Sequence, residues 1–298
     1  MNASAVDVHD GSVDGPHGPI PIRRYVPGAN VASAALPPIV WVHGGAFMWG
    51  GLDQPESDAV ARDLAACGFP VVTLAYRLAR FPPFSPAVPR RPRGGAPRVT
   101  YPVPVDDVAA VIHAVASESP DGIIVGGASA GACLAAGALT RMVGTDTGRA
   151  VRGAFFAYGL FHANSPTPSP ELRARITGRR RYTHTPRSLH LVNLNYAGTR
   201  AAMRKPDAFP GGHPVAGFPP TLLVDADHDL MRASARQFAR ELAAADVPVH
   251  YRVMDDAHHA FLNRPHDPAY SEAVDLIGRW ATRVGRAAQR EGPAAQSQ

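Results

Sequence analysis

The residues able to do chemistry fall in three short stretches far apart in the chain. Gly126-Gly127-Ala128-Ser129-Ala130-Gly131-Ala132 holds one serine between two glycines, directly after the apolar run Ile123-Ile124-Val125. A serine placed so, at a sharp turn from strand into helix, has its hydroxyl lifted clear of a sheet and set at a helix N-terminus, which favours developing negative charge. A serine hydroxyl is a weak nucleophile and needs a base held by a third group. Asp255-Asp256-Ala257-His258-His259-Ala260-Phe261-Leu262-Asn263 offers two bases, His258 and His259. Asp225-Ala226-Asp227-His228-Asp229-Leu230-Met231 offers three carboxylates, Asp225, Asp227 and Asp229. A calcium loop of the EF-hand type does not fit, because Leu230 stands at the glycine position and Arg236 at the closing glutamate. Trp41-Val42-His43-Gly44-Gly45-Ala46-Phe47 ends an apolar run in glycines. The N–H groups of Gly44, Gly45 and Ala130 can together hold an oxyanion, each such donor supplying about 3–4 kcal/mol to a transition state.

These groups need a scaffold that brings strand ends together. Pro37–Gly45, Phe69–Leu78, Gly122–Gly127, Val151–Leu160, Pro219–Asp229 and Val247–Met254 read as apolar strands. Gly18–Pro27 reads as an edge strand or hairpin because of its prolines. Helices fall between the strands. Val60, Leu64 and Cys67 recur at helical spacing, and Asp106 or Asp107 is placed as the N-cap of a helix carrying Val108, Val111, Ile112 and Val115. Ala130–Val143, a helix with Phe238 and Leu242, and a last one with Val274, Ile277, Trp280 and Val284 complete the set. Continuous apolar strands alternating with amphipathic helices predict an α/β fold, a mostly parallel central sheet with helices on both faces. Chemistry in such sheets collects at the C-terminal ends of strands, where all three stretches lie.

Composition bounds the function. The 298 residues are 45% hydrophobic and 18% charged, which suits a globular chain with a large core. We read residues 1–291 as one domain, with irregular insertions at 80–100 and 161–205, and 292–298 as a disordered tail. No apolar run reaches the roughly 20 residues of a membrane span. The start lacks a basic and apolar leader, so a cytoplasmic protein is expected. The net charge of +5 comes almost wholly from arginine, with one lysine, Lys205. Arg90, Arg91, Arg93 and Arg98, and Arg173, Arg175, Arg179, Arg180 and Arg181, cluster among prolines and glycines. They read as solvated loops, since no aromatic platform accompanies them and no nucleic-acid partner is indicated. Cys67 and Cys133 read as two buried thiols, not a disulfide framework.

Taken together, His43-Gly44-Gly45-Ala46-Phe47, Tyr76-Arg77-Leu78-Ala79, Gly127-Ala128-Ser129-Ala130-Gly131, Asp229-Leu230-Met231-Arg232 and His259-Ala260-Phe261-Leu262 resemble the hormone-sensitive-lipase-like α/β-hydrolases, which include many bacterial carboxylesterases. The resemblance runs from about Pro37 to Val284. It implies an α/β-hydrolase fold and a catalytic triad of Ser129 as nucleophile, Asp229 as acid and His259 as base, in the chain order of that fold. Gly44, Gly45 and Ala130 are implied as oxyanion donors. Phe47, Trp49, Tyr196 and His258 are candidate substrate-binding residues, with His190 beside them. Ala46 stands where a third glycine is usual, and Ala128 replaces the usual acidic residue before the serine. The short segment before His43 implies a reduced cap, with 80–100 and 161–205 as covers. The expected activity is a serine carboxylesterase acting on short-chain acyl esters through an acyl-enzyme, without cofactor or metal. The alternatives are amide, lactone or acetyl hydrolysis by the same triad, or a non-catalytic small-molecule binding protein. The partner is a small-molecule ester, and the sequence admits a homodimer.

Overall fold

The computed structural model describes residues 6–28, 36–80, 99–178 and 184–291. The cluster Arg90 to Arg98, Arg179 to Arg181 and the expected tail at 292–298 lie outside the described residues. Eight strands form one sheet in the order β1-β2-β4-β3-β5-β6-β7-β8. They are β1 Asp7–Gly15, β2 Gly18–Val26, β3 Ile39–Val42, β4 Val71–Leu74, β5 Ile123–Ala128, β6 Val151–Ala157, β7 Thr221–His228 and β8 Val249–His258. β1 and β2 form an antiparallel hairpin, β2 meets β4 antiparallel, and β3 to β8 run parallel with β4. This is the mostly parallel sheet expected from the alternation of elements, and it is the fold that the resemblance implies.

Among the described residues eight α-helices interleave with the strands: α1 Pro55–Ala66, α2 Val103–Ser117, α3 Ala130–Met142, α4 Asp146–Ala150, α5 Pro170–Arg175, α6 Pro186–Ala197, α7 Arg232–Ala244 and α8 Pro268–Glu291. The central strands β3 to β7 are buried on both faces, so neighbouring side chains of one strand enter different cores. Val40 and Val42 of β3 join one cluster with α2, α3 and α7. Ile39 and Trp41 of the same strand join another with α1 and α8, where Ile277 and Trp280 pack.

Several expectations change. Gly18–Pro27 is not an edge, because β1, polar and unassigned from sequence, covers it. Pro19 and Pro21 are tolerated because β2 pairs with β4 only from Ile22 to Tyr25. Neither Asp106 nor Asp107 caps α2, which starts at Val103 with Pro102 at the N-cap. Asp107 is instead buried and accepts the Arg77 backbone N–H and its guanidinium. The strand expected to end at Met254 continues to His258. Cys133 is buried, but Cys67 is exposed at the C-cap of α1, and both are free. Arg175 is not a loop residue in solvent: it sits on α5, paired with Glu171 and Asp227. The 161–205 segment is not irregular throughout, since it holds α5 and α6. Each starts with a capping hydroxyl followed by proline, Ser169-Pro170 and Thr185-Pro186. Proline at the first helical position loses no hydrogen bond, so these prolines open helices instead of breaking them.

Candidate active site

β5 delivers Ser129 at the N-cap of α3 with φ 50° and ψ −117°. A non-glycine residue held there costs on the order of 1–3 kcal/mol, which the surrounding packing must sustain. The flanking glycines make the turn sterically possible. A Cβ on Gly127 would stand 2.5 Å from the Gly131 carbonyl oxygen, and one on Gly131 would stand 2.2 Å from that of Val42.

Ser129 Oγ lies 3.1 Å from His259 Nε2, and His259 Nδ1 lies 2.5 Å from Asp229 Oδ2. His259 follows β8 directly, and Ala260 after it takes a left-handed conformation that turns the chain away. Asp229 follows β7, is 2% exposed, and accepts the Met231 N–H at 3.0 Å through Oδ1. A second imidazole, His184, stands just before α6 with Nδ1 3.4 Å from Asp229 Oδ1. Burial alone would raise the Asp229 carboxyl, but His259 and His184 hold it well below the usual carboxylate range. Burial alone would lower His259, but Asp229, then Glu56 and Asp225, bring it above its ordinary value. Such a chain can move a proton off the serine hydroxyl and keep the resulting imidazolium stable.

The other candidates separate. Asp225 is buried, makes no hydrogen bond to the imidazole and accepts the Tyr251 hydroxyl at 2.7 Å. Asp227 accepts Arg175 and Arg232 at 2.6 and 2.7 Å. His258 packs on His228 with ring centroids 5.0 Å apart. His43 is buried, and its imidazole is pushed down to about 4 by that burial, so it stays neutral.

A cleft of about 310 Å³ opens over Ser129, lined by Gly45, Ala46, Trp49, Leu160, Leu189, Val192 and Met231 among others. Trp49, 62% exposed, stands at its rim. Phe47 and Tyr196 are not in its wall. Both are fully buried and stack on each other at 4.1 Å, because the loop turns Phe47 inward through a left-handed backbone. His190 bonds Asn164 and faces a separate groove, and His258 is likewise absent from the cleft lining.

The oxyanion loop also differs from expectation. The Gly44 N–H is already committed to Glu56 Oε2 at 2.5 Å and is therefore not free to meet a substrate oxygen. Gly45 and Ala46 face the cleft instead. Gly45 has φ 123°, and a Cβ there would fall 1.9 Å from the Trp49 carbonyl oxygen. Ala130 opens α3, so its N–H has no acceptor within the helix.

Sequence reasoning passed over Glu56, Tyr158, His184 and Asn263. Asn263 belongs to the histidine stretch and Glu56 follows a helix-opening proline, but nothing local marks either as facing the site. His184 sits in the proline-rich segment, with no periodic signal around it.

Known proteins similar to this chain give its family and fold. A profile for the family described as alpha/beta hydrolase fold matches residues 95–263. Carboxylic ester hydrolase LipN of Mycobacterium tuberculosis (strain ATCC 25618 / H37Rv) is 28% identical over 282 residues, which cover 87% of this chain and 65% of LipN. This chain thus spans just under two thirds of that relative's length. A hyperthermophilic esterase from the archaeon Pyrobaculum calidifontis superposes with a TM-score of 0.76 at 25% identity, over 95% of this chain and 86% of the other. Brefeldin A esterase, described as a bacterial homologue of human hormone sensitive lipase, gives 0.79 at 21% identity over 96% and 80%, a likeness of fold.

Proposed function

Since this chain belongs to the alpha/beta hydrolase fold family, we propose that it is a serine carboxylesterase acting on short-chain acyl esters. The observation that carries the reading is the unbroken relay from Ser129 through His259 to Asp229 at the floor of an open cleft. Ser129 Oγ attacks the acyl carbon while His259 Nε2 takes its proton. Asp229 keeps the Nδ1 proton in place and offsets the imidazolium charge. The N–H groups of Gly45, Ala46 and Ala130 hold the tetrahedral oxyanion, Ala46 taking the part first given to Gly44. His259 then protonates the leaving alcohol, and a water molecule repeats the sequence on the acyl-enzyme. The sequence balances: the ester C–O bond breaks, the Ser129 proton leaves on the alcohol by way of His259, and water supplies the acid's hydroxyl and, through His259, the proton that restores Ser129. The cleft volume lies near the lower end of the ~300–1,000 Å³ usual for ligand sites, which favours short acyl groups.

Ser129→Ala tests the reading. Turnover of p-nitrophenyl acetate should fall by about 10⁴-fold or more, with an unchanged circular dichroism spectrum and melting temperature. Undiminished turnover in the folded variant refutes the assignment. A graded series of esters, lactones and anilides assayed in parallel separates ester from amide or lactone action.

A further inference from the structure

Glu56 is a carboxylate that none of the three proposed catalytic steps uses, yet it is buried within the site at 1% exposure. It lies in the first turn of α1, beside Pro55, where the helix N-terminus favours negative charge. Its two oxygens collect donors from separate loops. Oε1 accepts the Tyr158 hydroxyl at 2.5 Å and Asn263 Nδ2 at 3.1 Å. Oε2 accepts the Gly44 N–H at 2.5 Å and Gln54 Nε2 at 3.3 Å. The Glu56 backbone N–H donates to Asn263 Oδ1 at 3.3 Å, and its carbonyl accepts Trp41 Nε1 at 2.7 Å. Burial pushes the Glu56 carboxyl above its ordinary value, while the Tyr158 hydroxyl, the Gly44 N–H and the nearby His259 oppose that; every neighbour recorded at its oxygens is a donor, which suits an ionised acceptor.

These partners belong to the three places the reaction needs. Gly44 begins the oxyanion loop. Tyr158 follows β6, and its ring meets the His259 ring edge-on at 5.0 Å. Asn263 ends the 3-10 turn Phe261–Asn263 that follows the His259 loop. Gly44 lies between the carboxylate and the nucleophile: a Cβ on it would stand 2.7 Å from Glu56 Oε2 and 3.0 Å from Ser129 Cβ.

We propose that Glu56 is a positioning residue that clamps the oxyanion loop to the histidine loop and supplies a second negative charge behind the catalytic imidazole. The proposal rests on the esterase reading and goes beyond it. By engaging Gly44, the carboxylate orients the following peptides so that the Gly45 and Ala46 N–H groups point into the cleft. By its charge it helps Asp229 hold the imidazolium. The groups facing His259 are Asp229 and Asp225 from β7 and its following loop, His184 from before α6, Tyr158 from after β6 and Glu56 from α1. Arg264 donates to the backbone carbonyl oxygens of His258 and His259 at 3.2 Å.

The test compares wild type, Ser129→Ala, Glu56→Gln and Tyr158→Phe on p-nitrophenyl acetate across pH, alongside melting temperatures. Glu56→Gln keeps the shape but removes the charge and gives one donor a poor partner. Its kcat should fall about tenfold or more with KM within about twofold, as for lost oxyanion geometry. The acid limb of its pH profile should move to lower pH, because the imidazolium loses a counter-charge. A purely structural role would lower the melting temperature and leave that limb in place. Should Glu56→Gln not fold, Tyr158→Phe decides, since it keeps the ring against His259 and deletes one donor to the carboxylate. A severalfold loss of kcat at unchanged KM supports the clamp, and wild-type kcat overturns it. A folded Glu56→Gln with wild-type kcat and an unmoved limb overturns it too. Wild type without Ser129-dependent turnover removes the esterase reading itself, and the clamp with it.

Discussion

Ser129 occupies a backbone region that alanine or serine rarely adopts, and the price is borne by glycines on either side of it. The histidine opposite is tuned as closely. His259 sits above the 6.5 of an unperturbed imidazole because Asp229 and Glu56 outweigh its burial. A base works only when deprotonated, so kcat/KM should fall as pH drops through that raised value, and the decline should begin above pH 6.5. A pH–rate profile with no decline until well below it contradicts the proposed base. At this scale the sequence was partly readable. The glycine spacing around Ser129 stated a turn, because only a missing Cβ fits there. Gly44 misled, because a free glycine N–H and one already held by a carboxylate twelve residues on look alike in sequence. Phe47 misled for a related reason: its side chain enters the core or the cleft according to a loop conformation that no periodicity encodes.

Among the elements, α5 and α7 are joined across the acid loop. Asp227 accepts Arg232 at 2.7 Å and Arg175 at 2.6 Å, and Glu171 accepts the same two arginines at 3.1 and 2.9 Å. This ring ties α5 to the end of β7 and the start of α7, the two elements that flank Asp229. Arg232 is 6% exposed, so removing it leaves Asp227 buried with one cation instead of two. Arg232→Met should therefore lower stability by up to about 3 kcal/mol, measured by urea unfolding, and speed amide exchange in α5. Unchanged exchange there means that the ring does not anchor α5. The strands of the sheet were legible because each is a short apolar run bounded by glycine or proline. β1 was not, because its hairpin leaves it polar and mostly exposed. α5 and α6 were not, because the proline-rich 161–205 was read as irregular, although each helix opens with a proline that follows a capping Ser or Thr.

For the molecule as a whole, the parallel order β4-β3-β5-β6-β7-β8 sets the ends of β3, β5, β7 and β8 along one rim. Residues separated by 130 positions in the chain thereby come within hydrogen-bond reach. That convergence could be anticipated from the alternation of strands and helices; 161–205 was expected as a cover and supplies His184, Leu189 and Val192 to the cleft lining, but which of its residues would do so could not be read, since that depends on loops packing on loops. Among the described residues no helix is long and apolar enough to cross a membrane. The chain has three tryptophans. Trp41 and Trp280 are enclosed at 0% and 6% exposure, while Trp49 stands 62% open at the cleft rim. Emission from the folded protein therefore contains one solvent-sensitive fluorophore, already located where ligands enter. Adding a non-hydrolysable ester analogue to Ser129→Ala should shift the spectrum to shorter wavelength and shield it from acrylamide, and Trp49→Phe should abolish both responses. An unaltered spectrum at saturating analogue would mean that ligands enter without touching that side of the rim.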